Sequence, residues 1–292
     1  MRCAFLTMDN TEGWSIDAGL CIPHLEQLGW QVDWIPWRRP QVNWDSYDLV
    51  YAAAPWDYPE NASEFLQVIE RVAGSSAALV NPVELVRWNV SKTYLRDLQS
   101  LGIAIVPSQW YERFAQEDLP DWFEHFASEK IIVKPVISAN AANTFLLEAP
   151  VDASTIGRLE AVFTNRAFMV QPFIENIRSE GEFSLFYIDG ALSHAIQKTP
   201  KPGDFRVQEE HGASIVRADP GASLQAAGTA AMRLVRPAPV YARADFVRAS
   251  GGQFLMMELE LIEPSMYLRM DEGAARRFAN ALHGYMVQSK AG

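Results

Sequence analysis

The sequence predicts an α+β protein with an α/β N-terminal domain, on three observations. Strand-like apolar runs alternate with amphipathic helical segments in the N-terminal part of the chain, and two long hairpin patterns follow in the C-terminal part. The chain is also long enough, at 292 residues and 49% hydrophobic, to bury the cores of about two domains. In order, 2–8 reads as a buried strand, 17–28 as an amphipathic helix closed by Gly29, and 31–37 as a second strand. An apolar strand at 47–54, a helix at 61–73 and a short strand at 77–81 continue the alternation, which implies a parallel sheet. Ligands of such sheets sit beyond the carboxyl ends of the strands, here at MDNTEG (8–13) and APWDYP (54–59). Trp56, Asp57 and Tyr58 are therefore candidate substrate contacts.

A domain boundary is expected near 82–89. Ser91 is placed as the N-cap of a helix running to Leu101, before a strand in IAIVPS. A helix at 122–127, a strand at 130–136 and a strand at 168–174 come next. Pro172 cannot donate to a sheet ladder, so it predicts an edge or a hinge in the last of these. The first hairpin, EFSLFYIDGALSHAIQK, turns at Asp189-Gly190, and the second, PVYARADFVRASGGQFLMMELEL, at Gly251-Gly252. A C-terminal helix at 271–287 is capped by Asp271.

A formal net charge of −11 argues against nucleic acid or an anionic membrane as partner and favours a small molecule. No apolar run reaches the roughly 18–20 residues of a membrane span, and MRCAFLTMDN lacks the pattern of a signal peptide, so a cytoplasmic location is expected. Cys3 and Cys21 read as buried thiols.

The second hairpin carries the chemistry. In MMELELIEPS, Glu258 and Glu260 share one strand face, and Met257, Leu259 and Leu261 the other. A turn centred on Gly251-Gly252 sets Asp245 opposite Glu258 and Arg243 opposite Glu260. Carboxylates about 4 Å apart repel by roughly 4 kcal/mol at an effective dielectric near 20, so a hard divalent cation such as Mg2+ is the natural partner of this cluster. A solvated or protonated acid cluster is the other reading. Neither a P-loop nor a dinucleotide fingerprint is present. Lysine is scarce, six against nineteen arginines, and Lys134 and Lys198 each end a strand. Beside the acids, they point to a phosphorylated ligand.

The order of these features resembles the ATP-grasp superfamily, in particular its glutathione synthetase-like branch. Over about residues 90–270, Lys92 in NVSKTYLRDL and Lys134 in IIVKPVISANAAN look like its two nucleotide lysines. Gln171, Pro172, Phe173 and Ile174 look like the hinge that reads adenine, Glu182 like the ribose contact and Met256 like the adenine floor. Lys198 and Arg206 match basic residues near the phosphates and acyl group, and Asp245, Glu258 and Glu260 fall on the metal ligands. The usual glycine-rich lid is here 138–143 with alanines, and the last metal ligand, often asparagine, is Glu260.

The resemblance implies ATP and Mg2+ as cofactors and a carboxylate-amine ligase acting through an acylphosphate, with Lys198, Arg206 and Arg243 at the reacting groups. It implies an N-terminal parallel-sheet domain (1–85) and two subdomains clasping ATP (86–174 and 175–292). PWDY and ELELIEPSMYL are similar to small bacterial members that close rings on amino-acid derivatives such as O-ureido-D-serine in antibiotic biosynthesis. Glu263 and Ser265 are then further substrate contacts, and a homodimer is compatible with the family. An intermolecular amino-acid or peptide ligase and a non-catalytic nucleotide-binding module remain the alternatives.

Overall fold

The structure, a computed structural model, describes residues 1–291, with side chains described through Ser289. Its first sheet joins β1 (Arg2–Thr7), β2 (Gln31–Pro36), β3 (Leu49–Ala54) and β4 (Ala78–Val80), all parallel, in the order β2-β1-β3-β4. Every residue of β3 is buried, because both faces of the sheet are covered. Phe5, Leu49 and Tyr51 pack on the C-terminal helix Ala274–Ala291, while Ala4, Leu6 and Val50 pack with Phe65 and Ile69 of the helix Ala62–Ala73. The strand order reverses direction between β1 and β3, so the loops that follow these two strands meet at a topological switch point.

The helix expected at 17–28 is shorter and tighter. Asp17–Cys21 is a 3-10 turn, and Ile22–Gln27 is α-helical with Pro23 in its first turn, the position that tolerates a missing N–H. The segment expected as a domain boundary is ordered: Val83–Asn89 is a helix, fastened at both ends. The buried amide of Asn81 donates to the Tyr241 and Leu261 carbonyls (2.9 and 2.8 Å) and accepts from the Val240 N–H (2.7 Å). Asn89 donates to the Leu259 carbonyl and accepts from the Leu261 N–H, both at 2.8 Å. The next helix is Tyr94–Ser100, so Ser91 lies before it and Thr93, not Ser91, occupies the N-cap position. The strand expected in IAIVPS is a single parallel bridge, Ile105 to Met256.

A second sheet, antiparallel, has the order β5-β8-β6-β7, with β5 Gln109–Tyr111, β6 Lys130–Pro135, β7 Phe145–Glu148 and β8 Phe168–Pro172. Pro172 does not mark an edge: β8 is interior, and the proline is tolerated as its last residue. β7 and the helix Ala153–Phe163 close this layer.

The third sheet, also antiparallel, is built from both hairpins: β9 (Glu182–Ile188), β10 (Ala191–Thr199), β11 (Ser214–Arg217), β12 (Tyr241–Arg248) and β13 (Phe254–Glu260), in the order β11-β10-β9-β12-β13. Asp189 and Gly190 have φ of 50° and 73°, the left-handed pair a type I′ turn requires. In the second hairpin Arg243 pairs with Glu260 and Asp245 with Glu258, as expected, but by a different route. The turn spans 249–253, closed by Ala249 N–H to Gln253 O at 2.8 Å, and Arg248 faces Phe254, one residue away from the register of a centred two-residue turn. Met257 is bulged out between the Phe246–Met256 and Asp245–Glu258 pairs, and that extra residue restores the register at the acids.

Asn81→Ala strands a buried N–H and two carbonyls at this junction. It is expected to lower stability by about 2–4 kcal/mol in urea unfolding. A loss below about 0.5 kcal/mol would show that the junction does not depend on the Asn81 amide.

Candidate functional site

On the third sheet, positions two apart carry one polar face: Glu182 and Ser184 on β9, Lys198 on β10, Arg243 and Asp245 on β12, Glu258 and Glu260 on β13. Further along the same face stand Phe186, Ile188, Ile196 and Tyr241, which pack into the core under the C-terminal helix. The polar half is left to floor a cleft, and Ile132, Lys134 and Gln171 of the second sheet line the same cleft.

Ligand oxygens of Asp245, Glu258 and Glu260 lie within 4.8 Å of one another. Each acid is met by a cation. Arg243 donates through Nε to both Asp245 oxygens at 3.1 Å and through Nη2 to Glu260. Lys92 Nζ lies 2.9 Å from Glu258, and Lys198 Nζ lies 2.7 Å from Glu182 and 3.7 Å from Asp245. Ser184 Oγ donates to Asp245 at 2.5 Å.

Burial pushes the Asp245 and Glu258 carboxyls up, but Arg243 and Lys198 beside the first, and Lys92 and Lys134 beside the second, outweigh it and hold both below the ordinary carboxylate range. Glu260 differs: burial, with Glu258 and Asp245 close by, pushes it up to about 7 despite Arg243. Burial likewise raises Glu182 against the pull of Lys198. The Lys134 ammonium has no hydrogen-bond or ion-pair partner among the described residues, and burial lowers its pKa. An unpartnered cation lining a cleft is suited to an anionic ligand.

One end of the cleft is an apolar slot, where Val106, Phe173, Ile177, Val207 and Val247 cluster with Ile132, Ile174 and Met257. Gln171, Pro172, Phe173 and Ile174 all border it, with Gln171 Nε2 donating to Ser108 Oγ at 2.8 Å. Met256, expected as its floor, is instead fully buried in the core on the opposite side of β13. The bulge reverses side-chain parity at this point, so Met257 reaches the slot.

At the other end, Trp56 and Tyr58 line the cleft together with Glu263 and Ser265. Asp57 does not: its carboxylate is turned outward to accept from Trp37 Nε1 (2.6 Å) and from Arg38. Trp14 and Ser15, which sequence reasoning missed, also line this end. They are the two residues directly after the MDNTEG segment, in the same loop that follows β1. Arg206 reaches the cleft while held by Asp204 in a paired contact of 3.1 and 2.8 Å.

The lid region crosses between sheets. Lys92 Nζ donates to Ser138 O at 2.9 Å, and His211 Nε2 lies 3.3 Å from Asn140 O. Asn140, Ala141 and Asn143 adopt φ of 50°, 53° and 56°. This is the left-handed region that glycine enters at no steric cost and that costs an alanine roughly 1–2 kcal/mol. No signal in the sequence pointed to the other cleft residues of the segment 205–210, which has little regular structure.

A parallel-sheet layer followed by two antiparallel layers enclosing a cleft of paired acids and lysines is the ATP-grasp fold. The ATP-grasp ligase PsnB, in a complex with Mg, ADP and a phosphomimetic variant of minimal precursor, superposes with a TM-score of 0.63 at 16% identity, covering 97% of each chain. The crystal structure of D-cycloserine synthetase DcsG superposes with a TM-score of 0.86 at 26% identity, covering 98% of this chain and 100% of that one. Residues 3–81 match the family model of the D-cycloserine synthetase DcsG N-terminal domain. The cycloserine biosynthesis protein DcsG of Streptomyces lavendulae is 30% identical over 261 residues, 84% of this chain and 86% of the relative. The chain belongs to the DcsG family of ATP-grasp proteins.

The parity reversal separates two neighbouring methionines experimentally. Met256→Ala is expected to cost about 2–5 kcal/mol of stability, as for a core truncation, while Met257→Ala costs under about 1 kcal/mol but weakens ADP binding. Calorimetric titration with urea unfolding of both variants checks this, and the reverse assignment would place Met256 in the slot.

Proposed function

We propose that this chain is an ATP-dependent, ADP-forming ligase of antibiotic biosynthesis that joins a carboxylate to an amine nitrogen. The reading narrows further to ring closure within one amino-acid derivative, such as O-ureido-D-serine. The observation that carries it is the half-buried set of three carboxylates within 4.8 Å, flanked by Lys134, Lys198 and Arg243 and continued by an apolar slot. A set of hard oxygen donors of this kind fits Mg2+, and the PsnB complex contains Mg and ADP. Asp245, Glu258 and Glu260 would hold the ion, which when bound neutralises charge on the nucleotide phosphates.

The proposed roles of the remaining residues follow from where they lie. The slot accepts adenine, with the Gln171–Ile174 backbone at its edge and Met257 beneath, and Glu182 stands at the ribose. Lys92, Lys134 and Lys198 donate to phosphate oxygens. Arg206 and Arg243 orient the acyl group, and Trp56, Tyr58, Ser265 and Glu263 surround the rest of the substrate. A substrate carboxylate oxygen attacks the γ-phosphorus, the bond to the bridging oxygen breaks and ADP leaves. The acceptor nitrogen, which in O-ureido-D-serine is the ureido N–H attached to the side-chain oxygen, then attacks the acyl carbon, its proton passes to solvent and inorganic phosphate departs. On this reading 1–85, 86–174 and 175–292 are the N-terminal, central and C-terminal units. Ring closure rather than joining of two molecules is supported by the DcsG relatives, named for cycloserine synthesis.

With O-ureido-D-serine and ATP, the expected outcome is Mg-dependent ADP release and a product of lower mass than the substrate, with no second molecule incorporated. A product carrying a second amino acid would instead identify an intermolecular ligase, and nucleotide binding without ADP release a non-catalytic module. Glu258→Gln is expected to fold normally and to lose ADP formation by about 100-fold or more; near wild-type turnover would remove Glu258 from the metal site. Trp56→Ala is expected to raise the substrate KM about 10-fold or more while leaving the ATP KM within about 2-fold, whereas Asp57→Asn perturbs stability through Trp37 and Arg38. Equal loss of nucleotide affinity in Trp56→Ala would move Trp56 out of the substrate end.

A further inference from the structure

We propose that Glu263 is the residue that recognises a free ammonium group on the substrate, so that the cleft selects an α-amino acid over the corresponding simple carboxylic acid. This deepens the ligase reading and rests on it.

The backbone on either side of Glu263 is fixed. Leu261 N–H donates to Asn89 Oδ1 at 2.8 Å, the Ile262 carbonyl accepts from Tyr241 OH at 2.6 Å, and the Glu263 carbonyl accepts from Trp56 Nε1 at 2.8 Å. The side chain lines the cleft and is only 9% exposed. Its carboxylate has no hydrogen-bond or ion-pair partner among the described residues, in contrast to Glu182, Asp245, Glu258 and Glu260, each of which is matched by a cation.

The charges that act most on it are Glu260, Lys92, Glu258 and Arg243, and both of those cations are already bound to other carboxylates. A buried acid without a partner is costly as an anion, and burial pushes this carboxyl well above its ordinary range. A ligand cation removes that cost. The surroundings suit one: the rings of Trp14 and Trp56, 5.2 Å apart between centroids, and buried Tyr58 line the same end of the cleft, and aromatic faces attract ammonium groups. This end adjoins the switch-point loops, away from the apolar slot. In an α-amino acid the ammonium and the carboxylate share one carbon, so a substrate carboxylate held at Arg243, one of the charges that act on Glu263, would bring its ammonium toward the Glu263 carboxylate.

The test compares O-ureido-D-serine with its des-amino analogue, 3-(ureidooxy)propanoate, by calorimetric binding to the full chain with ADP present. Wild type is expected to bind the amino compound ~10- to 100-fold more tightly. Glu263→Gln is expected to bring the two within about 3-fold while ADP affinity is unchanged, and Glu263→Asp to retain part of the preference. Equal binding of both compounds by wild type, no binding of the amino compound, or full preference in Glu263→Gln overturns the assignment. If Glu263→Gln does not fold, the wild-type comparison and Glu263→Asp decide it. ADP release without the preference overturns Glu263 alone, and the preference without ADP release overturns the ligase reading alone.

Discussion

The structure depends on matching buried carboxylates to cations supplied by different parts of the chain. Glu182, Asp245, Glu258 and Glu260 share one face of one sheet, where each close pair of like charges costs roughly 4 kcal/mol at an effective dielectric near 20. Arg243 and Lys198 come from the same sheet, but Lys92 comes from the segment before the helix Tyr94–Ser100 and Lys134 from the second sheet. Lys92 is itself fixed to the second sheet's end by its N–H to Val136 O at 2.7 Å. Balancing the cleft therefore requires all of these layers to be docked, and the same contacts that neutralise the acids also assemble the cleft.

β13 shows how a strand at the edge of a sheet is made to serve this purpose. Its outer backbone is satisfied by Asn89 at Leu259 and Leu261, by Tyr94 OH at the Leu259 N–H, and by Ala104 and Val106 at Met256. An exposed edge would invite pairing with another chain. Here it is covered by side chains and loop backbone that also set its height relative to the cleft. The bulge at Met257 then turns a methionine to the slot and keeps Asp245 opposite Glu258.

The loops after β1 and β3 complete the far end. Trp14 and Trp56 meet because the strand order reverses between those strands, and the hydrogen bond from Trp56 to the Glu263 carbonyl ties this parallel-sheet layer to the segment leaving β13. Fold topology thereby brings an aromatic wall beside an acid that has no cation of its own among the described residues.

The sequence by itself determined the strand-helix alternation of the N-terminal part, the two hairpins and the strand face shared by Glu258 and Glu260, whereas their pairing with Asp245 and Arg243 matches expectation only because the bulge at Met257 offsets a different turn. Periodicity, turn residues and like-charge repulsion are local or pairwise constraints, and a single chain displays them. Its scarce lysines pointed to Lys134 and Lys198, and its resemblance to ATP-grasp proteins added Lys92 and the Gln171–Ile174 segment, all of which line the cleft. Tertiary structure alone decided that Met257 rather than Met256 reaches the slot, because a bulge shifts parity without any mark in the composition. It alone turned Asp57 away, since Trp37 and Arg38, which follow β2 on the far side of β1, both hydrogen-bond to its carboxylate. It also decided that Glu263 has no partner among the described residues, because the two cations that act on it are already committed, Lys92 to Glu258 and Arg243 to Asp245 and Glu260.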